Sequence, residues 1–244
     1  GNRYYLARRK SEKTGERVLD ILPDLPDIRD RLYLPHLQRL PPQKSPRIAF
    51  SVRDQGKANS CVGFALAHVI DVLRHSDDEV LSPERASARM LYEMARRNDE
   101  WAESPHEGSS LRGGIKGFFR NGVCSEAIAG ANAKKWKLTY EMAKAARETR
   151  LGAYFRLQPD ISDYHAGLQE VGAIYCSAQI HTNWLEPKDG RIAVGGAPIG
   201  GHAFVIVGYD AEGFWVLNSW GETWGREGLA HWAYEASAAT VMDA

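Results

Sequence analysis

Four residues in this sequence have the types and settings of a nucleophilic acyl-transfer site: Cys61, His202, Asn218 and Gln55. Cys61 stands where a polar, Gly-containing stretch (54–60) gives way to an amphipathic run in which Val62, Ala65, Leu66, Val69, Val72 and Leu73 recur at helical steps. Ser60 is placed to cap that helix. Cys61 then falls in the first turn, where unpaired backbone N–H groups and the helix dipole favour an anion. They favour the thiolate, which is the nucleophilic form. The plainer reading of any single cysteine is a small apolar residue packing a helix start. The other three residues weigh against it.

Of eight histidines, His202 has the telling context. It follows Gly200-Gly201 and opens the apolar run Ala203–Tyr209, a strand that would fix the ring. His68 is one helical repeat beyond Cys61, about 10 Å along the axis at the α-helical rise, too far to share a proton. His75, His106 and His165 sit in polar surroundings and read as solvated; His181 and His231 read as core or rim. Asp210-Ala211-Glu212-Gly213 is turn chemistry, and Phe214–Leu217 returns as a hairpin partner. A turn centred near Asp210 puts Asn218 roughly opposite His202, where its amide can orient the imidazole. Asp210, a rival orienter, lies at the far end of the hairpin. Gln55, six residues before Cys61, can join the Cys61 N–H as a donor toward a tetrahedral oxyanion.

The elements that must position these groups divide along the chain. Residues 1–46 read as a charged, then Pro-rich extension, with Leu22, Leu25, Ile28, Leu32, Tyr33, Leu34, Leu37 and Leu40 as apolar teeth for docking. Residues 47–150 read as a helical lobe. Its helices are the Cys61 helix, one starting at Ser82-Pro83 and running to Arg97, one over about 110–120 ending at Asn121-Gly122, and one opened by Thr139. Residues 151–244 read as an antiparallel β lobe. Its parts are a short strand at Tyr154–Leu157, a helix capped by Ser162, strands at 173–180, 202–209 and 214–217, and a last strand at Leu229–Tyr234. The fold class is α+β with a cleft between two lobes.

With 244 residues, 43% hydrophobic content and Lys+Arg balanced against Asp+Glu at 31 each, the chain has no global field for nucleic acid or a membrane surface. No apolar run approaches membrane-spanning length. The first residues lack the apolar centre of a secretory signal, and Gly1 in place of Met fits a processed or engineered start. Three cysteines, Cys61, Cys124 and Cys176, are not a disulfide framework and suit a reducing compartment. No metal-ligand spacing is present, so no metal or other cofactor is expected.

Three blocks in order, Gln-Gly-x-x-x-Ser-Cys-x-x-Phe-Ala at 55–65, Gly-His-Ala at 201–203 and Asn-Ser-Trp-Gly-x-x-Trp-Gly-x-x-Gly at 218–228, resemble the signatures of papain-like cysteine peptidases. His202 follows Cys61 by 141 residues, within the family's spacing, and Asn218 lies slightly beyond it. The resemblance covers about residues 48–235 and implies a papain-like two-lobe fold with a barrel-like β lobe. By matching position it makes Cys61 the nucleophile, His202 the general base and acid, Asn218 its orienter, and Gln55 part of the oxyanion hole. Trp220 would shield the Asn–His bond and wall the leaving-group side. Gly113-Gly114 resembles the Gly-Gly edge that pairs with an extended substrate, Gly201 adds a backbone contact, and Cys176 approaches the acyl-side pocket. Departures are Ala58 in place of a disulfide cysteine, Val62 in place of an aromatic, and an N-terminal region far shorter than the usual propeptide, closer to bacterial relatives.

The resulting expectation is a cysteine endopeptidase acting on a protein or peptide. Two other roles stand beside it: the same chemistry as an interbacterial toxin or defence effector held by a protein inhibitor or immunity protein, and a non-catalytic peptide-binding module. An amidase or transglutaminase-like relative would not require the Asn-Ser-Trp block. The expected location is cytoplasmic, or secreted as an effector.

Overall fold

The computed structural model describes residues 7–11, 15–28, 30–36, 38–75, 84–100, 107–130 and 136–244. The helical half begins with α1 (Cys61–Arg74), whose apolar face is buried along almost its whole length. Then follow α2 (Ala88–Asn98), α3 (Leu111–Asn121), α4 (Glu126–Ala129) and α5 (Tyr140–Ala145). The starts of α2, α3 and α5 are fixed by side-chain caps: Ser87 accepts from the Met90 N–H, Ser110 from Gly113 and Thr139 from Met142. Gly122 ends α3 at φ +70°, as the Asn-Gly pair predicts. The helix expected from Ser82-Pro83 starts later; residues 81–83 lie outside the described residues, and Glu84–Ser87 are not helical. Ser87 supplies the capping hydroxyl at the position where the helix begins.

The sheet half contains α6 (Ile161–Val171), β3 (Ile174–His181), β4 (Arg191–Ile192), β5 (Pro198–Tyr209), β6 (Gly213–Leu217), β7 (Leu229–Ala233), α7 (Tyr234–Thr240) and β8 (Val241–Asp243). A small hairpin of β1 (Ala7–Ser11) and β2 (Gly15–Leu19) precedes both halves in the chain. The six strands are ordered β4-β7-β6-β5-β3-β8, antiparallel except for the β4–β7 pair. Asp160, not Ser162, caps α6. Tyr154–Leu157 is no strand: only Arg156 bridges, to Leu32. The strand expected over Leu229–Tyr234 stops at Ala233 because Tyr234 opens α7, and it is not the last, since β8 follows.

Three clusters make the core. One lies within the helical half around Leu91, Met94 and Phe118, and one behind the sheet around Trp184, Phe204 and Trp232. The third lies between them, where Cys61, Val62 and Ala65 of α1 meet Ala203, Val205 and Leu217 of the sheet. Gly63 lets α1 approach α2 closely: a Cβ there would stand 2.4 Å from the Ala88 carbonyl oxygen. A cavity of about 320 Å³ opens on the other side of α1, walled by Leu66, Ile70, Ile115, Phe118 and Tyr175, apart from Cys61 and His202.

The N-terminal arm docks, but among the described residues only Leu22 of its expected apolar teeth is buried. Leu25, Ile28, Leu32 and Leu34 are exposed, and Leu37 is outside the described residues. Backbone pairing holds it instead: Lys44 exchanges two hydrogen bonds with Tyr209, Tyr33 N–H donates to the Arg156 carbonyl, and Arg156 N–H to that of Arg31. Asp30 pairs with Arg112 and Arg156. Residues 17–22 of the arm are all buried. No helix among the described residues is long and apolar enough to cross a membrane.

Candidate active site

Cys61 is the first residue of α1, in the turn where N–H groups lack helical partners. Ser60 precedes it at the cap position, but its hydroxyl makes no capping bond. The dipole and free N–H groups at Cys61 therefore act without a competing side-chain acceptor. Cys61 is 2% exposed. Burial pushes its pKa up to about 11, and N–H groups of Ala203 and Val62 work against that rise. Ala203 is the residue after His202, so β5 brings the imidazole's own backbone to the thiol.

His202 lies in mid-β5, fully buried. Its Nε2 is 2.8 Å from Asn218 Oδ1. That oxygen also accepts from the Ser219 N–H at 2.8 Å. An acceptor on this side requires the ring to carry its proton on Nε2, which leaves Nδ1 as the basic lone pair. Nδ1 has no hydrogen-bond partner among the described residues, Cys61 included. Burial pushes the His202 pKa down to about 4, opposed by the Asn218 bond and assisted by the Arg17 charge. Both shifts favour the uncharged thiol and the uncharged imidazole.

Asn218 meets His202 because β5 and β6 pair, although the register is not the one a simple two-residue turn dictates. An irregularity between Ile206 and Gly208 slides the strands, so Val205 faces Leu217 and Tyr209 faces Phe214. Asn218 follows the last residue of β6 and reaches the ring diagonally. Asp210 holds His231, 3.0 Å from Nε2, and is no partner of His202. Trp220 is buried with its ring centroid 4.8 Å from that of His202. Gln55 is knitted to the same segment: its N–H donates to the Ser219 carbonyl at 2.9 Å and its Oε1 accepts from the Ser219 hydroxyl at 2.6 Å. Its Nε2 donates to the Ala58 carbonyl at 3.0 Å, which commits one of two amide hydrogens.

Other expectations fare differently. Gly113 and Gly114 lie inside α3, and their N–H groups are committed to the Ser110 hydroxyl and carbonyl. They cannot form the edge that meets an extended chain. Ser109 takes that place: its carbonyl accepts from the Leu22 N–H at 3.3 Å. The sequence sign for it is the small, polar Gly108-Ser109-Ser110 run just ahead of the helix. Gly201 does contact an extended segment; its carbonyl accepts from Ile21 N–H at 3.5 Å. A Cβ on Gly201 would stand 2.8 Å from the Ile21 carbonyl oxygen. Cys176 does not approach a pocket. It is fully buried in the core behind the sheet with Leu168 and Phe204. Among the histidines, His68 is buried and accepts from the Arg53 N–H at 3.3 Å. His165 is not solvated but bonded to the Tyr234 hydroxyl and stacked on Tyr209. His106 is outside the described residues.

Sequence reading did not anticipate that the groove beside Cys61 is occupied. Arg17–Leu22 run across it, from Trp220 and Asp54 at one end, past Cys61, to Gly201 and Ser109 at the other. Asp20 accepts from Asn59 Nδ2 at 2.8 Å, and its charge raises the Cys61 pKa. The alternation of Val18, Leu19, Ile21 and Leu22 with Arg17 and Asp20 was the available signal, but so short a run inside a charged extension points to no particular site.

A sequence model described as papain family cysteine protease matches residues 43–243. Over 208 residues the chain is 24% identical to an uncharacterized peptidase C1-like protein of Acanthamoeba polyphaga mimivirus, covering 77% of this chain and 65% of that protein. It therefore spans just under two thirds of that relative's length. Its structure is similar to that of xylellain, a cysteine protease from Xylella fastidiosa, with a TM-score of 0.80, 28% identity, and coverage of 95% of this chain and 92% of the other. A digestive procathepsin L from the larval midgut of Tenebrio molitor shares the fold at a TM-score of 0.66 and 16% identity, over 88% of this chain and 73% of its own.

Proposed function

Because the chain belongs to the papain family of cysteine proteases, we propose that it hydrolyses peptide bonds of a protein or peptide substrate through a thioester on Cys61. His202 takes the thiol proton on Nδ1, and the sulfur attacks the carbonyl carbon of the scissile amide. The resulting oxyanion is stabilised by the Cys61 N–H and the remaining amide hydrogen of Gln55. His202 then gives its proton to the leaving nitrogen as the C–N bond breaks. Water, deprotonated by the same ring, cleaves the thioester and restores the thiol. Asn218 holds the ring in the Nε2–H tautomer throughout, and Trp220 keeps water from that bond.

The observation that carries this reading is the 2.8 Å bond from His202 to Asn218, which leaves Nδ1 free as a base on the strand that packs against Cys61. The test is turnover of an internally quenched peptide library by the wild type and by Cys61→Ala, with thermal melting to show that both are folded. Turnover by the wild type alone supports the reading. Equal turnover, or none by a wild type that also resists a peptidyl epoxide, favours a peptide-binding module instead. The narrower role of an interbacterial effector held by a separate inhibitor has no described residue in its favour. The arm across the groove gives control of the site an origin within the chain.

A further inference from the structure

The arm residue whose charge acts on His202 sits in a ready-made cradle. Arg17 is 1% exposed. Its Nη1 donates to Asp54 Oδ1 at 2.5 Å and to the Gly56 carbonyl at 3.0 Å. Its Nη2 reaches Asp54 Oδ2 and the Trp220 carbonyl, each at 3.4 Å. The guanidinium carbon lies 5.7 Å from the centroid of the Trp220 ring. Two carboxylate oxygens, two carbonyls and an indole face match the planar donor fork of a guanidinium.

None of these walls belongs to the arm. Asp54 is fixed by the Gly56 N–H, which donates to its Oδ1 at 2.8 Å, and by its bridge to Trp220. Gly221 N–H holds the neighbouring Arg53 carbonyl at 3.0 Å. The cradle is part of the framework that carries Gln55, Asn218 and Trp220, so it persists when the arm moves away. The Asp54 side chain is 52% exposed even with Arg17 in place, so it is reachable from solvent.

We propose that this cradle is a subsite for an arginine of the substrate, on the Trp220 side of Cys61, and that Arg17 fills it as an intramolecular competitor. The inference rests on the peptidase reading for its meaning but not for its test. With the arm seated, the guanidinium site and the groove are taken together. A substrate that displaces the arm replaces Arg17 with an arginine of its own. Lysine is a poorer occupant, since an ammonium offers a point charge where the cradle offers a fork.

The test measures binding without turnover. Fluorescent octapeptides that differ only by arginine or its neutral isostere citrulline, scanned along the sequence, are titrated into Cys61→Ala and into Cys61→Ala combined with Arg17→Gln. At one position the arginine peptide should bind the double variant about tenfold or more tighter than the citrulline peptide. It should bind Cys61→Ala more weakly than it binds the double variant. Adding Asp54→Asn should collapse the arginine preference toward unity. If Arg17→Gln does not fold, Arg17→Lys serves in its place. Equal affinities at every position, or a preference that survives Asp54→Asn, overturns the subsite. Arginine-selective binding by a protein whose wild type cleaves no peptide would refute the hydrolase and leave the subsite standing.

Discussion

Asn59 donates from Nδ2 to the Asp20 carboxylate across 2.8 Å, and it does so two residues ahead of Cys61. The bond fixes a negative charge beside the thiol, while the Arg17 guanidinium places a positive one near His202. Asp20 raises the Cys61 pKa and Arg17 lowers that of His202. Both signs oppose a thiolate–imidazolium pair. The arm therefore disfavours the reactive charge state as well as filling the groove.

Removing the Asp20 charge should make the thiol easier to ionise. In Asp20→Asn the pH profile for Cys61 alkylation by iodoacetamide, read by peptide mass spectrometry, should move to lower pH than in the wild type. Labelling of Cys124 and Cys176, both buried with pKa values raised by burial, should stay slow. An unchanged Cys61 profile would remove Asp20 from the account.

Asn218→Ala takes the acceptor from His202 Nε2 and leaves a buried N–H without a partner, which costs about 1–3 kcal/mol. The ring also loses its tautomeric preference. A fall in kcat on the order of ten- to a hundredfold, with KM little changed, is expected in steady-state assays.

Asp24 gives the arm a pH dependence. Burial first, and then Asp243, raise its pKa from 3.8 to about 6, against Arg112 and Arg156. Asp30 also faces this cluster from the arm itself. A raised carboxyl pKa means that the docked state holds the proton more tightly than the released one. Its favourable contribution is complete below pH about 4 and is lost as pH rises through about 6. The melting temperature of the wild type relative to Asp24→Asn should therefore rise as pH falls from 7 to 4; a constant difference would show that Asp24 does not titrate in this range.

Two variants probe the scaffold. Asp71 is fully buried between Arg53 and Arg85 and also accepts from the Ala86 N–H. Asp71→Ala strands the buried Arg53 and should cost about 3–5 kcal/mol in denaturant unfolding. Gly63→Ala would put a methyl 2.4 Å from the Ala88 carbonyl oxygen and 2.6 Å from Tyr92 N, both backbone atoms. Separating α1 from α2 to admit it should cost about 1–3 kcal/mol and lower turnover through Cys61, two residues away.

The chemistry was legible because local sequence marks the places where its residues sit. Cys61 opens α1 after a polar turn, and His202 lies in an apolar strand behind two glycines. Asn218 follows a strand whose partner is set by the Asp210 turn. Register was less legible: Gly208 marks the slip between Ile206 and Gly208 but not its direction or size, so the diagonal approach of Asn218 emerges only from the paired strands. The extended-chain edge was misplaced onto Gly113-Gly114 because a Gly pair suggests open backbone, whereas capping by Ser110 draws both into α3. Arg17–Leu22 could not be placed at all from local pattern. Their burial depends on partners at Asp54, Asn59, Ser109 and Gly201, spread along the chain.

Asp24 also acts as a stitch. Its N–H donates to Asp243 Oδ2 on β8, and its Oδ1 accepts from the Arg112 N–H at the start of α3, each at 2.9 Å. One residue of the strap thereby tethers the helical half to the sheet half. Peeling the strap away from the groove would therefore break a bond to each half at once.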